Sequence, residues 1–600
     1  MKSVGRWTDL RRAILAMSLS ILPGLASALT TSLTAPGASE NLRDRLIAAS
    51  TVMSADTHGL DTPQELLSAA LSDYRTMVQI LYDEGYFSPV VNISVDGREA
   101  ALIPALDPPQ RVNSIAISVQ TGRLFTFGMA RIAPLTPETA IPESYATGQT
   151  ATTSAIRDAA STGVQSWRDA GHAKAKVGGQ QITANHPRAI LDSDITLVPG
   201  PKLRFGRLKL PQDSAVRPEA IAKIAGFPAG EVYTPAKVQK VGTRMRRTGS
   251  FSSVTLEEAE TPNPDGTLDF EAVVIDQVPR RISFGGAVSS SKGAEILGSW
   301  MHRNLFGNAE RFRIEGAIRN IGGPEPIDGG LTIRLDQPAK LGPDDSIFYL
   351  GQIARFNEEH YTLTRFYLGG GVRRVFSDTL FAEAGVNAGL SRADDVFGER
   401  DFYMLTFPTR INWDERDNKV SATRGYFLDS FLTPYLGLNE TESGLWGYFD
   451  GRGYLSVTSS SSVVLAGRVQ VGTLIGPGLS EASPEFLFFS GGAGTVRGQP
   501  YQSLGVEVPG GIAGGRSLLA LSAEVRGRVT DNISLVGFFD IAAVGEDQFV
   551  TGDSPYHSGA GLGVRYDLGG VGPLRLDLAL PVEGTTDDGL QFYIGIGQAF

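Results

Sequence analysis

Six hundred residues exceed what one hydrophobic core organises, because domains typically hold about 100–200 residues, so several domains are expected. With 54 Lys+Arg against 65 Asp+Glu the net charge is −11, and nothing in that balance recruits nucleic acid. The chain has no cysteine, which excludes disulfides, a lipidated cysteine and thiolate catalysis.

In chain order, Lys2, Arg6, Arg11 and Arg12 precede an apolar run from Ala13 to Ala26 that ends Ala26-Ser27-Ala28. This is the pattern of a secretory signal over residues 1–28, with cleavage after Ala28. About 14 apolar residues containing Pro23 fall short of the roughly 20 a membrane helix needs. Beyond the signal no apolar run reaches about 18 residues, so any membrane span must be built from strands. Only a closed barrel of strands satisfies every backbone group in hydrocarbon.

The next 250 or so residues repeat a pattern. A helix ending Leu81-Tyr82-Asp83-Glu84 meets Gly85 and then a strand over residues 89–95. The helix containing Trp167-Arg168-Asp169 meets Gly171 before a strand at 173–177, and Met245-Arg246-Arg247-Thr248 meets Gly249 before one at 251–256. The glycines are 86 (171 less 85) and 78 (249 less 171) residues apart, and Phe127-Gly128 and Phe205-Gly206 are again 78 apart (206 less 128). A glycine after each helix is where a left-handed cap costs least. Units are expected at 29–122, 123–200 and 201–280, each a β-α-α-β-β arrangement with an exposed sheet edge.

Residues 281–600 alternate with the period of strands. Leu574, Leu576, Leu578 and Leu580 oppose Arg575, Asp577 and Ala579. Phe592, Ile594, Ile596 and Phe600 oppose smaller residues, and Leu562, Val564, Tyr566 and Leu568 oppose Gly561, Gly563, Arg565 and Asp567. Apolar residues facing lipid and polar or small ones facing a lumen are what a transmembrane barrel requires. At roughly 20 residues per strand with its connection, this length gives about sixteen antiparallel strands, and bacterial single-chain barrels keep the count even. The fold class is therefore α+β repeats followed by an all-β transmembrane barrel.

Glu524 shares a strand face with Ser522 and Arg526, opposite Leu521, Ala523 and Val525; Asp540 lies opposite Leu535, Phe539 and Ile541. Both acids are thereby expected in the lumen. The six histidines (His58, His172, His186, His302, His360, His557) show no metal-ligand spacing, and neither Gly-x-Ser-x-Gly nor a Walker loop occurs. No enzyme and no cofactor is expected.

The repeated units resemble the POTRA domains of the outer-membrane assembly family that includes BamA and TamA, and the resemblance extends over the whole mature chain. Arg303-Asn304-Leu305-Phe306-Gly307 is similar to that family's turn after the second strand, and Asp414-Glu415-Arg416-Asp417 with Gly425 to a mid-barrel motif. Val496-Arg497-Gly498 is similar to the family's loop that folds back into the lumen, although Gln499-Pro500-Tyr501 stands where an immediate aromatic is usual. The resemblance implies that Arg497 pairs with Glu524 and Asp540. The first strand alternates weakly, with Ile282, Phe284 and Val288 interrupted by Gly286, and Gly595 and Gly597 weaken the last strand from Gln591 to Phe600, so a lateral seam between the two is expected.

Three units resemble TamA more than BamA-type proteins, usually with five, or two-partner secretion transporters, usually with two. The implied clients are unfolded outer-membrane proteins such as autotransporters, the implied partner is a TamB-like periplasm-spanning protein, and the barrel contacts outer-membrane lipids. Lipid movement between membranes, export of a single exoprotein and passive diffusion stay open as alternatives. N-terminal sequencing of the protein from the cell envelope is expected to start at Leu29; an intact Met1 there would overturn the outer-membrane address.

Overall fold

The computed structural model describes residues 29–104, 107–289, 293–569, 572–584, 589–598 and 600. The expected signal segment 1–28 lies outside them, as do the side chains of residues 287–289. The chain divides into two compact bodies, one reaching Arg204 and including Val232–Pro235, the other comprising Phe205–Glu231 and Ala236–Phe600.

In the first body, strand Thr30–Thr34 runs parallel to Ser114–Gln120, which pairs antiparallel with Val90–Val95. Helix Pro63–Asp83 begins with a capping box between Thr62 and Glu65 and a proline in its first turn. It buries Leu67, Met77 and Leu81 with Leu46, Ile93, Ile115 and Ile117. Asp73, fully buried in the same helix, accepts hydrogen bonds from Ser50 Oγ (2.6 Å) and the backbone of Thr51 (3.0 Å) and Val52 (3.1 Å), so its charge is met.

The following unit has strands Thr126–Ala133, Lys176–Asn185 and Ile190–Val198 around helix Thr153–Asp169. Here one helix stands where two are expected among the described residues. The segment that would carry the other contains Pro134, Pro137, Pro142 and Gly148, which cannot sustain a helix ladder. The strand expected at 173–177 also starts later, at Lys176.

Strand Arg204–Lys209, helices Pro218–Ala225 and Pro235–Arg247, and strands Phe251–Glu258 and Thr267–Asp276 restore the full order. Gly85, Gly171 and Gly249 all take left-handed φ (+91°, +106°, +72°). The Phe-Gly markers share a deeper cause. Phe127 and Phe205 are buried core residues. After them the N–H of Met129 donates to Asp192 Oδ1 (2.8 Å) and that of Arg207 to Asp269 Oδ1 (2.6 Å). A Cβ on Gly128 or Gly206 would come within 2.5 Å or 2.1 Å of those carboxylate oxygens, so the glycines admit a side chain from the neighbouring strand.

The large sheet contains seventeen segments in sequence order. They are β1 (Arg280–Ser289), β2 (Gly293–His302), β3 (Arg311–Ile321), β4 (Asp328–Pro338), β5 (Asp345–Glu358), β6 (Tyr361–Val375) and β7 (Leu380–Asp395). Next come β8, in two pieces (Gly398–Thr406 and Thr409–Asp414), then β9 (Gly425–Leu438), β10 (Gly444–Ser456), β11 (Val463–Ile475) and β12 (Ser517–Arg528). The last are β13 (Ile533–Gly545), β14 (Tyr556–Asp567), β15 (Pro573–Glu583) and β16 (Gln591–Ile596). The two pieces of β8 pair with the same neighbours, β7 and β9, and are parted at Phe407-Pro408, where proline supplies no N–H. Seventeen segments are thus sixteen strands among the described residues. An even count returns the last strand to the side on which the first begins.

The outer face carries Leu521, Val525, Leu535, Phe539, Leu562, Leu578 and Ile594, all exposed, whereas Glu524, Arg526, Asp540, Arg565 and Asp577 are buried inside. β1 and β16 lie adjacent, but no ladder joins them among the described residues. The last strand stops at Ile596 rather than Phe600. Gly597 takes φ +98°, its N–H donates to Pro573 O (2.7 Å), and the chain turns off the outer face. Phe600 is buried inside with Ala422, Tyr454 and Ala466.

Within the second body, the third unit seats on the sheet's near-side turns. Arg244 holds Asp344 in a two-pronged ion pair (Nε–Oδ1 3.0 Å, Nη2–Oδ2 2.6 Å), and Arg247 adds a third bond (3.0 Å). Arg244's hydrogen bonds, with those of Arg247 and the charge of Lys240, hold the Asp344 carboxyl far below the usual carboxylate range despite partial burial. A carboxyl so depressed contributes stability above the ordinary aspartate pKa and loses it as pH falls towards the native value. Asp344→Asn should therefore weaken seating by about 1–3 kcal/mol at neutral pH and abolish its acid sensitivity. Hydrogen exchange of residues 235–247 from pH 7 to pH 3 would read this; an acid response equal in wild type and variant would refute it.

Candidate functional site

The connection from β11 to β12, residues 476–516, is the longest in the sheet and packs into the lumen. Its entry is pinned by Glu485, which accepts from Arg365 Nη1 (2.7 Å) and Tyr367 Oη (3.0 Å) on β6. Phe486 stacks on Tyr435 (4.8 Å between rings). Val496 is fully buried with Phe488, Leu518, Ala520 and Val544. On another wall Arg468, bound to Asp450 at 2.9–3.0 Å, donates to Gly494 O (2.9 Å).

Arg497 is the centre of the arrangement. Its guanidinium engages Asp540 through Nε–Oδ2 (2.7 Å) and Nη2–Oδ1 (2.9 Å), Glu524 through Nη1–Oε1 (2.6 Å), and Asp577 through Nη1–Oδ2 (3.4 Å). Its backbone N–H also donates to Asp540 Oδ2 (3.1 Å), and its cation lies 3.6 Å from the Phe538 ring centre. The fork geometry matches a carboxylate as lysine could not.

The acids are shared. Arg526 Nε donates to Glu524 Oε2 (2.8 Å), and Arg565 Nη1 donates to Asp577 Oδ1. Arg526 also donates to Phe600 O (3.2 Å) and lies over its ring. In this buried cluster Glu524 and Asp577 each meet at least two cations while Asp540 meets Arg497 alone, and removing Arg497 leaves the acids undercompensated.

Backbone contact is equally close. A Cβ on Gly498 would lie 2.5 Å from Leu580 O, and one on Gly559 would lie 2.0 Å from Arg497 O. The glycines let the loop press directly on β14 and β15.

Sequence reasoning placed Arg497, Glu524 and Asp540 in one lumen and left out Asp577, Arg565 and Gln499. Asp577 stands on the inner face of the Leu574–Leu580 alternation, so the rule that selects Glu524 and Asp540 also selects it. The sequence marks Gln499 as a departure from the family's loop pattern but gives it no partner. Tyr501 is half-buried and accepts from Gln502 Nε2 (3.0 Å), away from the ion cluster.

The turn motifs serve elsewhere. Asn304 Nδ2 donates to Ala215 O (2.8 Å), Gly307 O accepts from the N–H of Arg217 (2.8 Å), and Arg303 Nη1 donates to Val278 O (2.8 Å), so that turn forms the socket of the third unit. Within it burial opposes the charge of Glu310, yet hydrogen bonds from Asn308 and Phe306 hold its carboxyl below the ordinary value. Asp414 takes a two-pronged bond from Arg416 (2.8 and 2.9 Å), and Asp417 caps the N–H groups of Asn418, Thr423 and Arg424 ahead of Gly425. At the seam Ile282 (65% exposed) and Phe284 (83%) face outward beside Gly286 on β1, and Gly595 is on β16. Gly597 and Phe600 are off the strand.

Arg497→Ala is expected to cost about 3–5 kcal/mol, the penalty for breaking a buried ion cluster. Arg497→Lys should recover little, because one ammonium cannot bridge the same acids. Protease access to residues 476–516 in the folded barrel checks both; a loop protected as in wild type in both variants would show the cluster to be dispensable.

Residues 346–600 match the Omp85 superfamily domain. The solved BamA of Haemophilus ducreyi lacking POTRA domains 1–3 superposes with a TM-score of 0.61 at 15% identity, over 78% of this chain and 99% of that one, and so shares the fold. CdiB from Acinetobacter baumannii gives 0.48 at 12% identity over 79% and 90%. With α/β units ahead of a sixteen-stranded barrel and an arginine loop in its lumen, the chain carries an Omp85 superfamily domain over residues 346–600 and shares the fold of a BamA barrel preceded by POTRA domains.

Proposed function

We propose that the protein is an assembly and translocation factor of the TamA type, inserting or secreting autotransporter-like clients through a barrel that opens at its seam. Residues 29–122, 123–200 and 201–280 are its three POTRA-like units and 281–600 its barrel; its partner is a TamB-like periplasm-spanning protein. The observation that carries this reading is the seam. β1 and β16 are neighbours without a ladder among the described residues, and Gly286 and Gly595 give them little cross-strand contact. Unpaired N–H and C=O groups are costly in lipid, so a client strand that pairs with them lowers the free energy of both chains.

The inward turn at Gly597 supports the same reading, because it takes the last residues away from β1. Arg497 with Glu524 and Asp540 acts as the lock that keeps the loop in the lumen while the seam works.

Two experiments decide between this function and its rivals. A pull-down from solubilised envelope is expected to recover a TamB-like protein; recovery of a single large secreted β-helical protein instead would favour a dedicated exporter. In the second, cysteines are placed at 282–286 and 592–596, screened for pairs that cross-link, and oxidised, in a chain that has no other cysteine. The locked seam should stop client assembly. Normal assembly through a fully locked seam would sink lateral opening.

A further inference from the structure

The loop's departure from its family's pattern, Gln499, is completely buried. Its Nε2 donates to Ser558 O on β14 (2.8 Å) and to Glu583 O on β15 (2.9 Å). These two residues are paired, and the register slips immediately beside them: Ser558 faces Glu583, but Gly559 faces Pro581, so Val582 is extra. A bulge of this kind interrupts the ladder, and Pro581 has no N–H with which to repair it. One carboxamide from the loop therefore bridges the two strands where their own hydrogen bonds fail.

The next contact reaches further. The N–H of Gly498 donates to the hydroxyl of Tyr593 (3.2 Å), on the last strand. Tyr593 is buried on the inner face of β16 with Val536, Phe538 and Ala579. Three consecutive loop residues thus touch the final strands in turn. Arg497 holds Glu524 on β12, Asp540 on β13 and Asp577 on β15, Gly498 holds β16, and Gln499 holds β14 and β15.

We propose that Gln499 and Tyr593 are positioning residues through which the lumen loop sets the last two strands, and with them the seam edge of the barrel. β16 needs such a support. It has six residues, pairs with β15 on one side, and has no ladder on the other among the described residues. A short strand with one partner frays readily, and β15 pairs with it only from Leu574 to Ala579. A buried hydrogen bond from a fixed loop supplies an anchor independent of the ladder.

The inference rests on the seam reading above only for its functional meaning, so its test reads strand order directly. Full-length protein in lipid nanodiscs would be followed by hydrogen exchange for wild type, Gln499→Ala, Tyr593→Phe and the double variant. Exchange over residues 573–596 is expected to rise about tenfold in each single variant, with β5 to β9 unchanged. The double variant should exceed neither by much, since both bonds belong to one staple. Tyr593→Phe retains the ring and its packing, so it separates the hydroxyl's part from a loss of core. Wild-type exchange over 573–596 in both single variants, or a rise spread evenly over every strand, overturns the proposal. If exchange rises as expected while clients still assemble normally, the staple stands and the lateral-seam function is what fails.

Discussion

A guanidinium withdrawn from water is costly unless carboxylates meet it in good geometry, and that requirement organises the closing half of the barrel. Arg497 is attached to a loop, while the acids that satisfy it stand on three different strands, β12, β13 and β15. None of those acids is comfortable without it, because each is buried and already shared with Arg526 or Arg565, or lies against the loop backbone. Loop and wall are therefore stable only together. The small residues Gly498 and Gly559 follow from the same demand, since the guanidinium can reach its acids only if the loop backbone lies against the strands.

Lipid imposes the complementary constraint. Outside, every strand must be apolar and fully paired; inside, the same strands must host charges that cancel locally. The result is an inner wall of short-range pairs: Arg334 with Asp336 and Glu383, Arg410 with Asp429, Arg452 and Arg468 with Asp450. Against this uniform wall the β1–β16 edge is the exception, short on one strand and unladdered among the described residues. On the proposed staple, the loop cluster offsets that weakness through its contacts with β12 to β16.

Much of this was legible in the sequence because the physics is periodic. Alternation over Leu574–Leu580 and Leu521–Arg526 places lumen and lipid faces without ambiguity, since a strand has only two faces. The repeated units were legible from Gly85, Gly171 and Gly249, whose caps are local. What escaped was non-local or broke the period. The second helix missing among the described residues of the second unit reflects a run of prolines within a repeat that otherwise matches. Phe600 continues the outward alternation on paper, but Gly597 at φ +98° ends the strand first, and a pattern cannot show where it stops. Gln499 showed only as a departure from the loop pattern, because its role depends on a bulge between β14 and β15 that lies far along the chain.

The third unit extends the same logic to the membrane surface. Arg303, Asn304 and Gly307 read as a barrel turn, yet their partners are Val278, Ala215 and Arg217 of the unit below, while Arg244 and Arg247 converge on Asp344 in the next turn but one strand pair away. These contacts lie on the β2–β3 and β4–β5 turns, the first of them next to β1, which itself continues from the third unit's last strand through only three residues, 277–279. A connection that short transmits any tilt of the unit to β1. On the proposed lateral-opening reading, the seam would have a support on each side, the third unit at β1 and the lumen loop at β16, and opening would require that at least one of them yield.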